Sequence, residues 1–381
     1  MKRDVRGVQS VPWCVLRLQS RYIVDKQLMS GTNAVGETAI QAGCRCYFGY
    51  PITPQNALPE YMSRRLREVP GGIFIQAESE ISAINMLLGA SVAGARAMTS
   101  SSGPGISLKQ EGISYMAGQE LPAVIVNVMR GGPGLGTISA AQSDYFQSTR
   151  GGGHGDYRTI VLAPASVQEL ADMTALAFDL ADNYRTPVIV LADGVLAQMM
   201  EPVKIPSRKK KNLPARDYAL TGARGRPSRV VHSFTMDPKE QEDHNWKLVR
   251  KYKQIEKREG RYETFLLKDA EMVVLAYGTA ARIARGAIKR LRKENLKVGM
   301  IRPMTLWPFP AKIIRETAKH LHDFFVFEMS AGQMIEDVKL SLEGKGRVHF
   351  YGRPGGVIPT PVELYRIISR HYYQSKRKKG R

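Results

Sequence analysis

The chain has 381 residues, 43% of them apolar and 24% charged, which suits about two or three folded domains and excludes a disordered or collagen-like protein. Long apolar runs and a secretory signal are absent, so we expect a cytoplasmic protein without a membrane span. The three cysteines are too few for a disulfide framework or for the ligands of an iron–sulfur cluster. We expect Cys44 and Cys46 to be small buried side chains.

The net charge of +21 suggests a polyanionic partner such as nucleic acid. This charge is concentrated in three segments: residues 1–30, 203–258 and 366–381 carry +4, +10 and +7, whereas residues 31–202 carry −5. Aromatic residues are sparse in the basic segments and no nucleic-acid-binding module accompanies them. Nucleic-acid binding is therefore the remote alternative to an enzymatic function.

Helical and strand-like patterns alternate between residues 31 and 202, which is typical of an α/β domain with a mostly parallel sheet. Near-continuous apolar runs of strand length are separated by longer amphipathic stretches. The pattern predicts helices over 34–42, 80–95 and 167–181, and strands over 72–75, 123–129, 159–162 and 188–191.

A second α/β unit follows a basic connection that ends in a charged helix near 238–258. The pattern of this unit predicts strands over 272–276, 298–301 and 324–327, and helices over 280–294 and 313–322. We therefore divide the chain into a basic N-terminal extension (1–30), a first domain (31–202), a basic connecting segment (203–269), a second domain (270–365) and a basic tail (366–381).

Two strand ends in the first domain carry candidate binding groups. Gly103, Pro104 and Gly105 follow the hydroxyl-rich run 99–102, forming a turn whose amides and hydroxyls can bind an anion or a polar cofactor edge. Turns of this composition also occur where no ligand binds. Arg130 follows the strand at 123–129, at the edge where open α/β sheets bind ligands. Its guanidinium could bind a carboxylate or form an ordinary salt bridge.

Two carboxylates and a histidine are the other candidates for chemistry. Glu78 fits an ordinary carboxylate at a helix start, whereas Glu80 is followed by apolar residues and is expected to lie in a dry interface. A buried carboxyl can keep or donate a proton near neutral pH. His154 lies in a glycine-rich stretch and is either a loop hydrogen-bonding group or a catalytic group. The motifs of P-loop, zinc-protease and serine-hydrolase chemistry are absent.

Several motifs in fixed order resemble the α subunit of 2-oxoacid:ferredoxin oxidoreductases, which use thiamine diphosphate. They are YPITP at 50–54, QAESE at 76–80, TSSSGPG at 99–105 and QELP at 119–122. Further motifs look most like the branch that acts on 3-methyl-2-oxobutanoate. They are SLKQEG at 107–112, MRGGPGLG at 129–136, QSDYF at 142–146 and GGGHGDYR at 151–158.

The resemblance implies a fold and an activity. Residues 31–202 would form a thiamine pyrimidine-binding domain, with a parallel sheet flanked by helices, and residues 270–365 a transketolase C-terminal-like α/β domain. The enzyme would oxidatively decarboxylate 3-methyl-2-oxobutanoate to acyl-CoA and CO₂ and reduce ferredoxin. The same chemistry on 2-oxoglutarate, pyruvate or an aryl 2-oxoacid stays open.

The resemblance also assigns roles to individual residues. Glu80 would activate the cofactor by sharing a proton with N1′ of its aminopyrimidine ring. Arg130 would contact the substrate carboxylate, with Thr53 beside the reacting carbonyl. The residues expected to bind the cofactor are Tyr50, Pro51, Ile52, Glu80, Ser102 and Gly103, and those expected to bind the substrate are Thr53, Arg130 and His154.

The remaining parts of such an enzyme are expected on partner subunits. Thiamine enzymes bind the diphosphate through Mg²⁺ held by a Gly-Asp-Gly sequence, which this chain does not contain. The resemblance implies a β subunit with the diphosphate site, the Mg²⁺ ion and a [4Fe-4S] cluster, and it allows for separate γ and ferredoxin-like δ subunits. Coenzyme A and ferredoxin are the other expected partners. We expect the β subunit, not this chain, to bury Glu80.

Overall fold

The computed structural model describes residues 26–206 and 215–379. The predicted N-terminal extension lies almost wholly outside the described residues, as does the basic run at 208–211. Of the helices in these two ranges, none has both the length and the apolar character that a membrane span requires.

The elements before residue 204 alternate between strand and helix, as the sequence predicts. They are β1 (Gln27–Ser30), α1 (Gly31–Gln41), β2 (Cys46–Gly49), α2 (Ala57–Arg65), β3 (Ile73–Gln76), α3 (Glu80–Val92), β4 (Ala97–Ser101), α4 (Pro104–Gly118), β5 (Ala123–Met129), α5 (Tyr145–Arg150), β6 (Ile160–Leu162), α6 (Val167–Tyr184), β7 (Pro187–Asp193), α7 (Gly194–Gln198) and β8 (Met200–Val203).

The second half of the chain begins with the long charged helix and continues with strands and helices in alternation. Its elements are α8 (Pro238–Glu259), β9 (Tyr262–Phe265), β10 (Met272–Leu275), α9 (Gly278–Lys293), β11 (Val298–Pro303), β12 (Thr305–Trp307), α10 (Ala311–Ala318), β13 (Asp323–Glu328), α11 (Met334–Leu342), β14 (Arg347–Gly352) and α12 (Pro361–Lys379).

A seven-stranded sheet forms the centre of the first unit, in the order β12-β6-β7-β5-β4-β2-β3. All neighbouring strands run parallel except β12, which is antiparallel to β6. Strands β5 and β7 are buried along their whole length because helices cover both faces of the sheet, which explains their continuous apolar sequences. The predicted parallel α/β fold is confirmed.

A five-stranded sheet forms the second unit, in the order β14-β13-β10-β11-β9, with β9 antiparallel at one edge. The chain leaves this sheet at Pro303, and the next strand, β12, pairs with β6 of the first sheet. Residues 305–307 therefore belong to the first sheet although they follow a strand of the second. This exchange joins the two units through the backbone.

Buried Gln142 also connects the two units. Its side-chain Nε2 donates to the carbonyl of Tyr277 at 2.9 Å, and its Oε1 accepts from the amide of Met329 at 2.9 Å. Its own amide donates to the Met329 carbonyl at 2.8 Å. One side chain of the first unit thus satisfies two backbone groups of the second.

The charged helix predicted near 238–258 is confirmed as α8. Leu248, Tyr252 and Ile255 lie on one face and are buried in the core of the first unit. On another face, Lys251 donates to the carboxylate of Glu120 at 3.2 Å. The helix is therefore docked on the first unit, and part of its basic charge is paired there.

The basic tail is folded as far as it is described. Residues 366–379 continue α12, whose contacts with α9 bury Ile368 and Tyr372 in the second core. Lys376 forms an ion pair with Glu271 at 2.5 Å. Residues 366–377 therefore form a packed amphipathic helix with a basic outer face.

Candidate active site

Glu80 is the first residue of α3 and lies inside the first unit. The side chain of Ser79 caps this helix by accepting from the Ser82 amide at 3.2 Å. The cap turns the backbone so that Glu78 remains exposed whereas Glu80 is only 6% exposed. The expectation that the partner subunit buries Glu80 is wrong, because this chain alone buries it. The reason is the close approach of α4, whose Gly105 carries no side chain.

Two buried polar side chains, those of Ser101 and Glu80, meet beside Gly105, and that of Ser102 follows β4 directly. A Cβ atom at Gly105 would lie 2.2 Å from Ser101 Oγ and 2.5 Å from Glu80 Oε1. The hydroxyls of Ser101 and Ser102 are buried without a hydrogen-bond partner among the described residues, and Glu80 accepts no hydrogen bond there. A carboxyl and two uncommitted hydroxyls in a dry site match the polar edge of an aminopyrimidine. The residues present therefore fit the pyrimidine ring of thiamine.

Arg130 lies at the carboxyl end of β5 and is 7% exposed. Its Nη1 donates to the carbonyl of Thr53 at 2.9 Å, and its Nη2 donates to that of Leu135 at 2.8 Å. Its Nε is buried without a partner among the described residues. Because these contacts are with neutral carbonyls, the guanidinium is fixed in place while its charge remains available to an anion.

The turn at 50–54 lies beside Arg130 and supplies Thr53. Buried Gln55 closes it, since its amide donates to the carbonyl of Ile52 at 3.1 Å and its Nε2 donates to that of Tyr50 at 3.2 Å. Tyr50 and Pro51 are exposed, whereas Ile52 and Thr53 are half-buried. The structure thus brings the predicted turn and Arg130 together.

Arg130 opens onto a cavity of about 520 Å³ between the two units. Gly103 and Ser107 line it from the start of α4, and Ser330 and Gln333 line it from the second unit. The geometry places the Arg130 guanidinium, which forms no salt bridge with the described residues, beside a space large enough for a small carboxylic acid.

Asp144 lies in the same cavity. It belongs to the QSDYF motif at 142–146, and the sequence alone assigned it no role. Its carboxylate accepts from Asn127 Nδ2 at 3.0 Å and from the Gly103 amide. Burial raises the pKa of the Asp144 carboxyl, whereas these two hydrogen bonds and the charge of Arg130 act in the opposite direction. Asp144 therefore fixes the Gly103 turn next to Arg130. The only sequence signal was an acidic residue inside an otherwise uncharged motif.

His154 lies away from the other predicted site residues. It lines a separate cavity of about 470 Å³ together with Ser114 and, on α8, His244. Helix α4 begins at the Arg130 cavity and reaches Ser114 ten residues later, and a rise of about 1.5 Å per residue separates these points by about 15 Å. The structure brings Thr53 and Gly103 to Arg130 and places Glu80 beside the same turn, at Gly105. Tyr50 and Pro51 line a separate cavity of about 230 Å³, and their assignment, like that of His154, stays a prediction.

The described residues contain no group of three or more His, Cys, Asp or Glu side chains arranged to hold a metal ion. Cys44 and Cys46 are buried thiols, as expected. Burial raises the pKa of the Cys44 thiol to about 12, which keeps it protonated and unreactive.

Comparison with known families agrees with this geometry. The family model described as pyruvate flavodoxin/ferredoxin oxidoreductase, thiamine diphosphate-binding, matches residues 37–264. The model described as pyruvate:ferredoxin oxidoreductase core domain II matches residues 270–364. The two matches together cover the site and both sheets.

Curated relatives match along most of the chain. The ketoisovalerate oxidoreductase subunit VorB of Methanothermobacter marburgensis is 52% identical over 344 residues, which cover 90% of this chain and 96% of that protein. The 2-oxoglutarate synthase subunit KorA of Methanothermobacter thermautotrophicus is 36% identical over 374 residues, which cover 91% of this chain and 99% of that protein.

Among solved structures, the 2-oxoglutarate:ferredoxin oxidoreductase of Magnetococcus marinus, with 2-oxoglutarate, coenzyme A and succinyl-CoA bound, has a TM-score of 0.79 and 29% sequence identity. The match covers 91% of this chain and 65% of that longer chain. The fold and the site thus define a thiamine diphosphate-binding component of an oxidoreductase. The chain belongs to the 2-oxoacid:ferredoxin oxidoreductase family, as its motifs predicted.

Proposed function

We propose that this chain is the α subunit of an enzyme that oxidatively decarboxylates 3-methyl-2-oxobutanoate to acyl-CoA and CO₂ and passes the electrons to ferredoxin. The observation that carries the proposal is the placement of two groups at the same edge of the parallel sheet: the buried Glu80 carboxyl beside Gly105 of α4, and the Arg130 guanidinium fixed at the end of β5. The identity of 52% to a ketoisovalerate oxidoreductase subunit supports the substrate.

The buried polar groups beside Gly105 would hold the pyrimidine ring of the cofactor. Thiamine diphosphate, when bound, supplies the carbon nucleophile that adds to the 2-oxo carbon. Glu80 would hold a proton at N1′ of the ring, and the surrounding apolar core excludes water from that contact. The other residues proposed to bind the cofactor are Tyr50, Pro51, Ile52, Ser102 and Gly103.

Arg130 would hold the carboxylate of the 2-oxoacid. Its two bonds to the carbonyls of Thr53 and Leu135 fix the plane of the guanidinium before substrate arrives. A fixed cation costs little reorganisation when it binds an anion, so the substrate can be oriented with its 2-oxo carbon towards Thr53.

We place the rest of the enzyme on other subunits. A β subunit would bind the diphosphate through Mg²⁺ and carry a [4Fe-4S] cluster, and γ and ferredoxin-like δ subunits would complete the complex. Coenzyme A and ferredoxin would bind to this assembly in the cytoplasm. The names of the curated relatives, which describe them as subunits, support a complex of several chains.

Substitution of Glu80 tests the site most directly, because Glu78, two residues earlier, provides a matched control. We expect Glu80→Gln to lower turnover of the assembled complex by about 10²–10⁴-fold, the usual contribution of a general acid–base group. Exposed Glu78→Gln should keep wild-type turnover, and size-exclusion chromatography should show intact complexes for both variants. Wild-type turnover by Glu80→Gln would remove the basis of the proposal.

The substrate is tested separately on the unmodified complex. The alternatives are 2-oxoglutarate, pyruvate and aryl 2-oxoacids, and four relatives named as 2-oxoglutarate synthase subunits are 36–37% identical over most of this chain. Ferredoxin reduction measured with each acid should give the highest kcat/KM for 3-methyl-2-oxobutanoate. A higher value for another acid would move the enzyme to that branch while leaving the assignment of Glu80 intact.

A further inference from the structure

Lys109 is a fully buried cation in the first unit, 0% exposed. Its Nζ donates to Thr99 Oγ1 on β4 at 2.6 Å, and Thr99 in turn donates to the Phe48 carbonyl at 2.6 Å. This is the one hydrogen bond that Lys109 makes with the described residues, although an ammonium has three donors. Lysine is almost never buried without a paired charge, so its position requires an explanation.

The fold places Lys109 towards Glu80. Lys109 follows Gly105 by one turn of α4, so the two residues share a face. Long side chains on a helix lean towards its N-terminus, which carries the lysine chain over Gly105. Gly105 faces Glu80, because a Cβ atom there would lie 2.5 Å from Glu80 Oε1. Lys109 and Glu80 therefore both approach the buried side of α4 around Gly105, although no ion pair joins them among the described residues.

The charges around Lys109 are few. Glu80, on α3, is the charged group among the described residues whose field acts on it, and β4 presents the neutral hydroxyl of Thr99. Burial lowers the pKa of the Lys109 ammonium to about 7, even though the field of Glu80 acts to raise it. A proton on Lys109 is thus held in part by Glu80 and is readily lost near neutral pH.

We propose that Lys109 is a positioning residue for Glu80, and that its buried ammonium acts electrostatically on the Glu80 carboxyl. A protonated Lys109 presents a positive charge to the Glu80 carboxyl, whereas a neutral amine presents none. The inference rests on the proposed function, in which Glu80 holds a proton at the cofactor ring.

The coupling can be measured on the full chain without cofactor. Lysine ¹³Cε labelling and NMR would follow the titration of Lys109, with Lys109→Met identifying its resonance. We expect Glu80→Gln to shift this titration to lower pH by about one unit or more, because the field that favours the ammonium is removed. Glu120→Gln, which removes the partner of the buried Lys251, should leave it unchanged. An unchanged Lys109 titration in Glu80→Gln would overturn the inference.

The assembled complex provides the second readout. Lys109→Gln keeps a hydrogen-bond donor for Thr99 but removes the positive charge. We expect this variant to lower kcat by roughly tenfold or more. It should also remove an ionisation near pH 7 from the pH profile of kcat. Lys251→Met removes a comparable buried lysine and should keep both kcat and profile. If Lys109→Gln keeps the wild-type kcat and profile, Lys109 has only a structural role.

The two proposals fail differently. Full turnover by Glu80→Gln would contradict the proposed function itself. An inactive Glu80→Gln together with a wild-type profile for Lys109→Gln would contradict only the role of Lys109. If Lys109→Met does not fold, Lys109→Gln can be used instead to identify the Lys109 resonance, and the titration still tests the inference.

Discussion

The contact between the two units depends on Gln142, and its removal has a calculable cost. Gln142→Leu keeps much of the side-chain volume but leaves the Tyr277 carbonyl and the Met329 amide without their partner. Each buried unsatisfied backbone group costs about 1–3 kcal/mol, so the free energy of unfolding should fall by about 2–6 kcal/mol. The backbone bond from the Gln142 amide to Met329 remains, which places the result towards the lower end.

Equilibrium urea unfolding followed by tryptophan fluorescence would measure this loss, since Trp307 lies on β12 at the joint between the units. The matched control is Gln168→Leu. Gln168 bonds the backbone of Lys204 in the same way, but it is only half-buried and these bonds are open to solvent, so water can replace its contacts. We expect about 0.5 kcal/mol or less for the control. A loss in Gln142→Leu no larger than that of Gln168→Leu would refute the role assigned to Gln142.

Two further predictions concern the buried site. Gly105→Ala should abolish binding of thiamine diphosphate to the assembled complex, as measured by calorimetry, because the new Cβ would lie 2.2 Å from Ser101 Oγ. The control variant Gly89→Ala, where a Cβ meets nothing within 4 Å, should bind the cofactor normally. Equal binding by both variants would show that the cofactor does not use the space beside Gly105. Stability should rise with pH between about 7 and 9, because the unfolded chain there holds a proton that folded Lys109 has lost, whereas the buried thiol of Cys44 opposes the rise at higher pH. Lys109→Met should flatten this rise in urea midpoints, and an unchanged slope would contradict it.

The pattern of apolar residues along the chain was sufficient to predict the strands that are buried on both faces. β5 and β7 are apolar throughout because both faces are covered, and α8 was visible as a charged helix. The partner of a strand is not a local property. β12 follows β11 closely in sequence, yet it pairs with β6 of the other sheet, and nothing in three residues specifies that choice. The pairing of β12 with β6, which joins the two units, therefore could not be predicted from the sequence.

The candidate site was predicted in part for the same reason. Arg130 was found because it ends an unmistakable strand, and Glu80 because apolar residues follow it. The cause of its burial was misjudged, since the close approach of α4 depends on Gly105, which lies 25 residues further along the chain. A missing side chain leaves no hydrophobic signal, although it decides how near two helices can pack.

The position of Lys109 on α4 is a sequence signal that could have predicted a buried charge near the site. Ile106, Ile113 and Met116 are buried on α4, and their spacing marks an apolar stripe that includes position 109. A lysine on such a stripe is either forced to reach solvent or must stay inside with a partner. Here the stripe is covered along its length, so the ammonium stays inside, and the charge whose field acts on it is the carboxylate on which the proposed chemistry depends. A cation on the buried stripe of a helix is thus a more specific indication of a site than the large basic excess on the surface.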